Sequence, residues 1–291
     1  MNIIEHIMKS GVLVEPGAAK RISEMGGSEQ AELLERIKAE KPLVLSEDFF
    51  ENIIEVSEFP GPKKFSVQES AAALNAYFNV LQNLFEKKGR AVSISNASEN
   101  ASVIGLVRNV LQDGFELEDQ TGAIKTVSKA QVDEDDVVMV AGKVIQKVLY
   151  ADYVEFPDAP ERQSRKSPKK CDVLFGKRAE GADYSIVFGN GFSMEKKSLT
   201  VGKNPALLKI NNISVLISPL AAKIAPAQIL KKRRLPGTLV PMAEVPDIFL
   251  LRGAENFSEN YKGTAIVAVD GKSLARINLK TGEVKFETEK G

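Results

Sequence analysis

Three stretches of this 291-residue chain decide its fold: Ser102-Val-Ile-Gly-Leu-Val107, Phe115-Glu-Leu-Glu-Asp-Gln-Thr-Gly122 and Val137-Val-Met-Val-Ala-Gly142. Phe115 and Leu117 alternate with Glu116 and Glu118, the period-two pattern of a half-buried strand. Asp119-Gln-Thr-Gly122 is a turn cluster between two such strands, with Gly122 free to take positive φ. Gly105 and Gly142 interrupt apolar strands, where glycine marks a bulge or a barrel corner. With Ala123 to Ser128 and Val144 to Phe156 added, the five short strands predict a small closed barrel of the OB type.

The flanks read differently. Before the barrel, Ile3, Ile4, Ile7 and Met8 share one helical face, closed by Gly11. Pro16 opens a second helix, ended by Gly26-Gly27, and Ser28 caps a third carrying Leu33, Leu34 and Ile37. Ser46 is expected to open a fourth, with Phe49, Phe50, Ile53 and Ile54. Phe59-Pro-Gly-Pro-Lys-Lys64 forms a stiff linker, and Ser66-Val-Gln-Glu69 is a capping box. The long helix that follows has Ala71, Leu74, Phe78, Leu81 and Phe85 on one apolar face, ready to pack on the barrel.

After Asp158 a polar, Pro-containing run through Lys170 predicts a flexible connector. Short strands then dominate, with one helical segment, Ala221 to Lys232, and hairpin turns expected at Asp270-Gly271 and Thr281-Gly282. The chain thus reads as α+β: helical domain 1–58, linker 59–65, helix plus barrel 66–158, connector 159–170 and a β-rich domain 171–291.

Composition excludes several functions. Lys+Arg and Asp+Glu are equal at 39 each, so no global charge draws the chain to nucleic acid or acidic membrane. One cysteine, Cys171, precludes an intrachain disulfide and reads as a structural thiol. No apolar run reaches the ~18 residues of a spanning helix, and the opening Met1-Asn-Ile-Ile-Glu-His6 lacks signal-peptide features. A cytoplasmic protein without membrane contact is the expectation.

Histidine is decisive, because His6 is the only one. Catalytic triads, HExxH zinc sites and His-rich dinuclear centres all need more. Gly189-Asn-Gly191 matches no phosphate-cradling motif, so no cofactor is expected. Asp133-Glu-Asp-Asp136 lacks the ligand spacing of a calcium loop and reads as a solvated loop. Lys231, Lys232, Arg233 and Arg234 form the densest basic cluster and are the candidate DNA-backbone contacts, with helix-dipole complementation an equal alternative. Phe115, Tyr150 and Tyr153 are the aromatics available for stacking a single strand.

The order of these segments resembles the small subunit of archaeal family-D DNA polymerase. Tyr77-Phe, Leu84-Phe85 and Ser102-Val-Ile-Gly-Leu-Val107 resemble that family's approach to its OB barrel. Glu116-Leu-Glu-Asp-Gln-Thr-Gly122, Val140-Ala-Gly142 and Ala151-Asp-Tyr-Val-Glu-Phe-Pro-Asp158 continue the likeness. Asn204-Pro205-Ala206, Leu230-Lys-Lys-Arg-Arg234, Val245-Pro-Asp-Ile-Phe249, Tyr261-Lys-Gly263 and Asn278-Leu-Lys-Thr-Gly282 resemble stretches of its calcineurin-like phosphoesterase domain.

The resemblance implies a contracted, degenerate phosphoesterase domain, a β-sandwich with helices. Active members hold two metals on D-x-H, G-D, G-N-H-D, H-G and G-H-x-H, and so aim a hydroxide at the phosphodiester. Here Ile217-Ser218-Pro219 stands for the lone H-G and Arg252-Gly253-Ala254-Glu255-Asn256 for G-H-x-H. Gly189-Asn-Gly-Phe192 is a remnant of G-N-H-D with both ligands gone. The implied function is a non-catalytic accessory subunit, with no catalytic, cofactor or metal residues of its own. Its partners are expected to be the large catalytic subunit, DNA through that complex, and further replication factors on the N-terminal helices. Two alternatives stay open: a free-standing OB-fold protein binding single-stranded DNA, and a residual exonuclease in which Asp172, Asp183 and Glu195 converge.

Overall fold

A computed structural model describes residues 3–50, 54–59, 67–86, 89, 91–176, 181–195, 197–219, 225–235, 238 and 240–288. The N-terminal part contains α1 (Ile3–Lys9), β1 (Leu13–Val14), α2 (Pro16–Ser23), α3 (Gly27–Glu40) and β2 (Val44–Leu45). Ile7, Ala18, Ile22, Leu33, Ile37 and Leu45 form its small core. Gly26, rather than Ser28, caps α3, and Glu29 reaches back to accept from the Gly26 N–H at 3.1 Å. β1 and β2 pair in parallel, a ribbon that no alternation in so short a run announces.

Among the described residues the expected fourth helix does not form, and Ile53 lies outside them. A 3-10 turn, Glu47–Phe50, takes up Phe49 and Phe50, and β3 (Ile54–Glu58) follows. β3 leaves the helices altogether and pairs antiparallel with residues 206–210, Ile54 against Ile210. Its Ile and Val at alternate positions pack on the distant β-core, and a strand reaching a ready sheet edge outweighs a weak helical pattern. Ser66 and most of the 59–65 linker lie outside the described residues.

α4 (Val67–Glu86) presents Tyr77, Phe78, Leu81 and Phe85 to Ile104, Leu106 and Val137, so the expected packing on the barrel is found. The barrel strands are β4 (Asn100–Leu111), β5 (Gly114–Asp119), β6 (Gly122–Val127), β7 (Val137–Ile145) and β8 (Val148–Glu155). They close in the order β4-β5-β6-β8-β7, an OB-like topology in which only β6 and β8 run parallel. Val103, Val107, Phe115, Leu117, Val138, Val140 and Leu149 fill the interior.

Asp119 Oδ1 accepts from the N–H of Thr121 and Gly122 and makes the β5–β6 turn. Gly122 itself opens β6 without positive φ. Gly142 sits at a bulge where β7 crosses β8; a β-carbon there would lie 2.1 Å from the Tyr150 carbonyl oxygen. The bulge near Gly105 falls further along, between Val107 and Asn109. Gln146 and Lys147, both left-handed, make the tight β7–β8 turn.

Beyond the barrel come β9 (Asp172–Gly176), β10 (Tyr184–Phe188), β11 (Ser193–Glu195), β12 (Ser198–Val201), β13 (Ala206–Ile210) and β14 (Ile213–Ser218). α5 (Pro226–Lys232), β15 (Ile248–Arg252), β16 (Phe257–Tyr261), β17 (Thr264–Val269), β18 (Ser273–Asn278) and β19 (Val284–Thr288) complete the chain. Two mixed six-stranded sheets result, β11-β12-β10-β9-β18-β19 and β16-β17-β15-β14-β13-β3. Phe175, Ile186 and Leu199 of one meet Val215, Leu250 and Val267 of the other in a shared core, so the sheets form a sandwich. The outer face of the second sheet packs Leu216, Phe249 and Ile266 under Ile229 and Leu230 of α5.

Thr281-Gly282 makes a true hairpin between β18 and β19. Asp270-Gly271 does not: β17 and β18 belong to different sheets, so this turn carries the chain across the sandwich. Residues 159–170, expected as a flexible connector, run pinned along the sandwich. Ala159 and Ser167 are buried, and the Ser167 N–H donates to the Leu279 carbonyl. The N-terminal helices touch the same body through a Lys280–Glu32 ion pair of 2.5 Å.

Candidate functional site

The two opposite charge clusters of the sequence are brought together. The 133–136 loop joins β6 to β7 of the barrel, and Lys231 to Arg234 end α5 on the sandwich. Lys232 Nζ donates to Asp136 Oδ2 at 2.6 Å and to Asp133 Oδ2 at 2.5 Å. Arg234 Nη1 donates to the Glu134 carbonyl at 2.8 Å, and its Nη2 stands 3.4 Å from Asp136 Oδ1. Asp136 is 1% exposed. It is therefore no solvated loop residue; its burial is offset by two cations and by the Asp133 N–H that it accepts. The Tyr77 hydroxyl of α4 donates to the Asp135 carbonyl at 3.2 Å, and burial pushes its pKa upward.

Beside this clamp lies a second knot. Arg233, 5% exposed, donates from Nε to the Asp158 carbonyl at 2.9 Å and from Nη1 to the Met242 carbonyl at 3.1 Å. Burial, helped by the like charge of Arg162 and opposed by Asp158, brings the Arg233 guanidinium down to about 10. The Asp158 carboxylate accepts from Tyr261 Oη at 2.9 Å and Lys262 Nζ at 2.8 Å. Burial opposes its ionisation, yet the bonds from Lys262, Tyr261 and the Ala159 N–H outweigh that and hold the carboxyl below its ordinary range. Asp135, Asp158 and Arg233 all have left-handed backbone, at φ of 65°, 46° and 54°. Three non-glycine residues in that region at one junction mark it as over-determined by its contacts.

The basic cluster is thus largely spent within the molecule. Lys232, Arg233 and Arg234 hold barrel and sandwich together, and a DNA backbone would have to compete with those partners. Lys231 is half-buried with its Nζ 5.0 Å from the Phe156 ring centre. Nothing in the sequence pairs the two clusters, which stand almost a hundred residues apart.

The segments that resemble phosphoesterase motifs lie at strand ends of the sandwich. Ser218, Arg252 and Val269 end three adjacent parallel strands, and Gly189 follows β10. The far sheet reaches the same edge, since a β-carbon on Gly176 would lie 3.3 Å from Val269 Cγ2. Carboxyl ends of parallel strands are where such sheets place ligands. What stands there is structural. Asn256 Nδ2 donates to Ser273 Oγ at 2.8 Å, Asn256 Oδ1 accepts from the Asp270 N–H, and Asp270 Oδ1 accepts from the N–H of Lys272 and Ser273. Those backbone donors hold the half-buried Asp270 carboxyl below its ordinary range.

Asp172 and Asp183 are neighbours, the Asp172 N–H donating to Asp183 Oδ2 at 2.8 Å. Glu195 is exposed on the edge strand β11. Among the described residues, no three of His, Cys, Asp and Glu come together as a metal site. Cys171 is buried, and its pKa is pushed to about 12 by that burial, with Asp183 and Asp172 adding to it.

On the barrel, Phe115 is fully buried in the core, so it cannot stack on a base. Tyr150 and Tyr153 are about half exposed, and they line a groove that also holds Asp113, Lys129 and Asp152. Among the described residues, no helix is long and apolar enough to cross a membrane. No protein-family model and no curated protein matches this chain.

Proposed function

We propose that this chain is a non-catalytic accessory subunit of a replicative DNA polymerase, similar to the family-D small subunit, that binds the large catalytic subunit through its barrel–sandwich body. One observation carries the reading: Lys232 and Arg234 join an OB-like barrel to a two-sheet sandwich through the buried Asp136, making one platform of the two. On this reading the sandwich takes the place of the degenerate phosphoesterase domain that the resemblance implies. Ser218, Ala254 and Asn256 then stand where active members of the family that the chain resembles carry histidine. The N-terminal helices suit recruitment of a further factor, since Leu13, Leu43 and Val44 of their ribbon are exposed apolar side chains.

Co-purification with a family-D large subunit tests this, using the full chain and a Lys232→Glu variant that places like charges at the junction. Retention by the full chain and loss by the variant are expected. Failure of the full chain to bind would sink the proposal. Degradation of DNA 3′ ends with Mn²⁺, persisting in Asn190→Ala and Glu255→Ala variants, would overturn the account of the strand ends.

A second reading, single-strand binding by the barrel, is favoured by the exposed Tyr150 and Tyr153. Asp113 and Asp152 in the same groove repel a phosphate chain, so the accessory reading is preferred.

A further inference from the structure

The sandwich also carries a cationic cleft that shares only Arg233 with the junction. Arg162 and Arg165 of the 159–170 strap, Lys209 of β13 and Arg233 after α5 converge on a cavity of about 660 Å³, with Asn212 and Ser214 among its polar walls. These four cations share the lining with two carboxylates, Glu55 and Glu244; Arg233 is already held by the Asp158 and Met242 carbonyls, and Asp247 stands against Arg162 and Arg165. The cleft lies by the amino end of β14, near Ser214, and Asp247, just before β15, stands behind Ser214 and the two arginines. It is therefore away from the Ser218 and Arg252 strand ends described above.

The cleft is built rather than incidental. Asp247 is 3% exposed; its Oδ2 accepts from the Ser214 N–H and hydroxyl, both at 2.9 Å. Its Oδ1 lies 3.2 Å from Arg162 Nη2 and 3.7 Å from Arg165 Nε. That Nη2 also donates to the Pro246 carbonyl at 2.6 Å, so the guanidinium is held in place at the wall. Even so, Asp247 Oδ1 and Arg162 Nε make no hydrogen bond. Both atoms are buried, so the donors open to a ligand are those of Arg165 and Lys209, which are exposed.

We propose that this cleft binds phosphate groups. Arginine forks match phosphate oxygens in pairs, and a lysine adds a point charge. Among the described residues no aromatic ring lines the cavity, so the ligand is held by its phosphates and not by stacked bases. Among the described residues the apolar lining is Pro160, Ala243 and Val245, too little to seat the side chains of an acidic peptide. A nucleic-acid backbone and a free polyphosphate share this chemistry. Glu55 and Glu244 at the lining limit affinity, so binding is strongest at low salt. The inference does not depend on a polymerase partner and can fail or hold without it.

The test uses the full chain, a fluorescein-labelled mixed-sequence single-stranded 20-mer and inorganic tripolyphosphate, across a salt series. The Arg165→Ala/Lys209→Ala variant changes two exposed side chains, and its fold is checked by circular dichroism and thermal melting. It is expected to bind the 20-mer at least tenfold more weakly. It should also flatten the slope of log K against log salt by about 1.4, roughly 0.7 for each lost single-strand contact. A Tyr150→Ala/Tyr153→Ala variant is expected to bind as the parent does. Displacement of the 20-mer by tripolyphosphate at equal phosphate identifies free polyphosphate as a sufficient ligand; binding of the 20-mer without displacement identifies the nucleic-acid backbone. The proposal is overturned if neither probe binds, if only the tyrosine variant loses binding, or if poly-glutamate competes as well as the phosphates.

Discussion

Lys232 Nζ and Asp136 Oδ2 meet at 2.6 Å across the boundary between sandwich and barrel, with the lysine side chain 10% exposed and the aspartate 1%. A charge pair so removed from water is costly to break, because the remaining charge loses both its hydration and its partner. Lys232→Met should lose about 3–5 kcal/mol of stability in urea unfolding, and a Lys232→Met/Asp136→Leu double variant should recover much of it. A single-variant loss under about 1 kcal/mol, the value of an exposed pair, would mean that the junction is not held this way.

Arg233 and Lys41 both end helices in left-handed backbone, at φ of 54° and 46°. Only Arg233 has its side chain buried in hydrogen bonds. Lys41→Gly relieves the backbone cost and should stabilise by up to about 1 kcal/mol. Arg233→Gly gains the same relief but loses charged hydrogen bonds, each about 1.5–3 kcal/mol, and should destabilise by about 2 kcal/mol. Equal effects at the two sites in denaturant titrations would remove the assigned role of Arg233.

Asp158 predicts a pH dependence. Its folded carboxyl titrates below the ordinary range, despite burial, because Lys262, Tyr261 and the Ala159 N–H hold the anion. Its stabilisation is complete above the unfolded pKa of about 3.9 and is lost as pH falls through the lower folded value. Between about pH 5 and pH 2 the parent protein should therefore lose more stability than Asp158→Asn. Parallel curves from thermal melts over that range would contradict the assignment.

Gly142 is the tightest test of the barrel. A β-carbon would sit 2.1 Å from the Tyr150 carbonyl oxygen, inside the β7–β8 bulge. The obstacle is backbone and cannot swing away, so Gly142→Ala should cost about 3 kcal/mol, the upper end of overpacking. Gly282→Ala, where no atom lies within 4 Å, is the comparison: it meets only the left-handed φ of 81°. A smaller loss at Gly142 than at Gly282 would show that the barrel yields there.

Much of the local structure was legible. The short strands expected after the connector are present, Tyr184–Phe188, Ala206–Ile210 and Thr264–Val269 among them. The α4 face of Phe78, Leu81 and Phe85 packs as its spacing predicts. Where reading failed, a distant partner had decided. Ile54 and Val56 fit a helical face as well as a strand, and the open edge of β13 settles the matter 150 residues later. β16, Phe257–Tyr261, has exposed polar residues at its centre and depends on pairing with β17. Asp270-Gly271 has the composition of a hairpin, yet it changes sheets because the two strands it joins find other neighbours.

The same division holds for the charged residues. From sequence alone came the single histidine, the balanced charge, the barrel at the centre and the absence of familiar phosphate or metal motifs. Those properties depend on which residues are present and how near neighbours alternate, so a linear reading suffices. That residues 133–136 and 231–234 are two halves of one junction depends on folding. The barrel loop and the end of α5 must first be brought side by side, and only then does burial make each cluster need the other. The cleft of Arg162, Arg165, Lys209 and Arg233 follows the same rule: three separate stretches supply it, and only the tertiary fold brings them around one cavity.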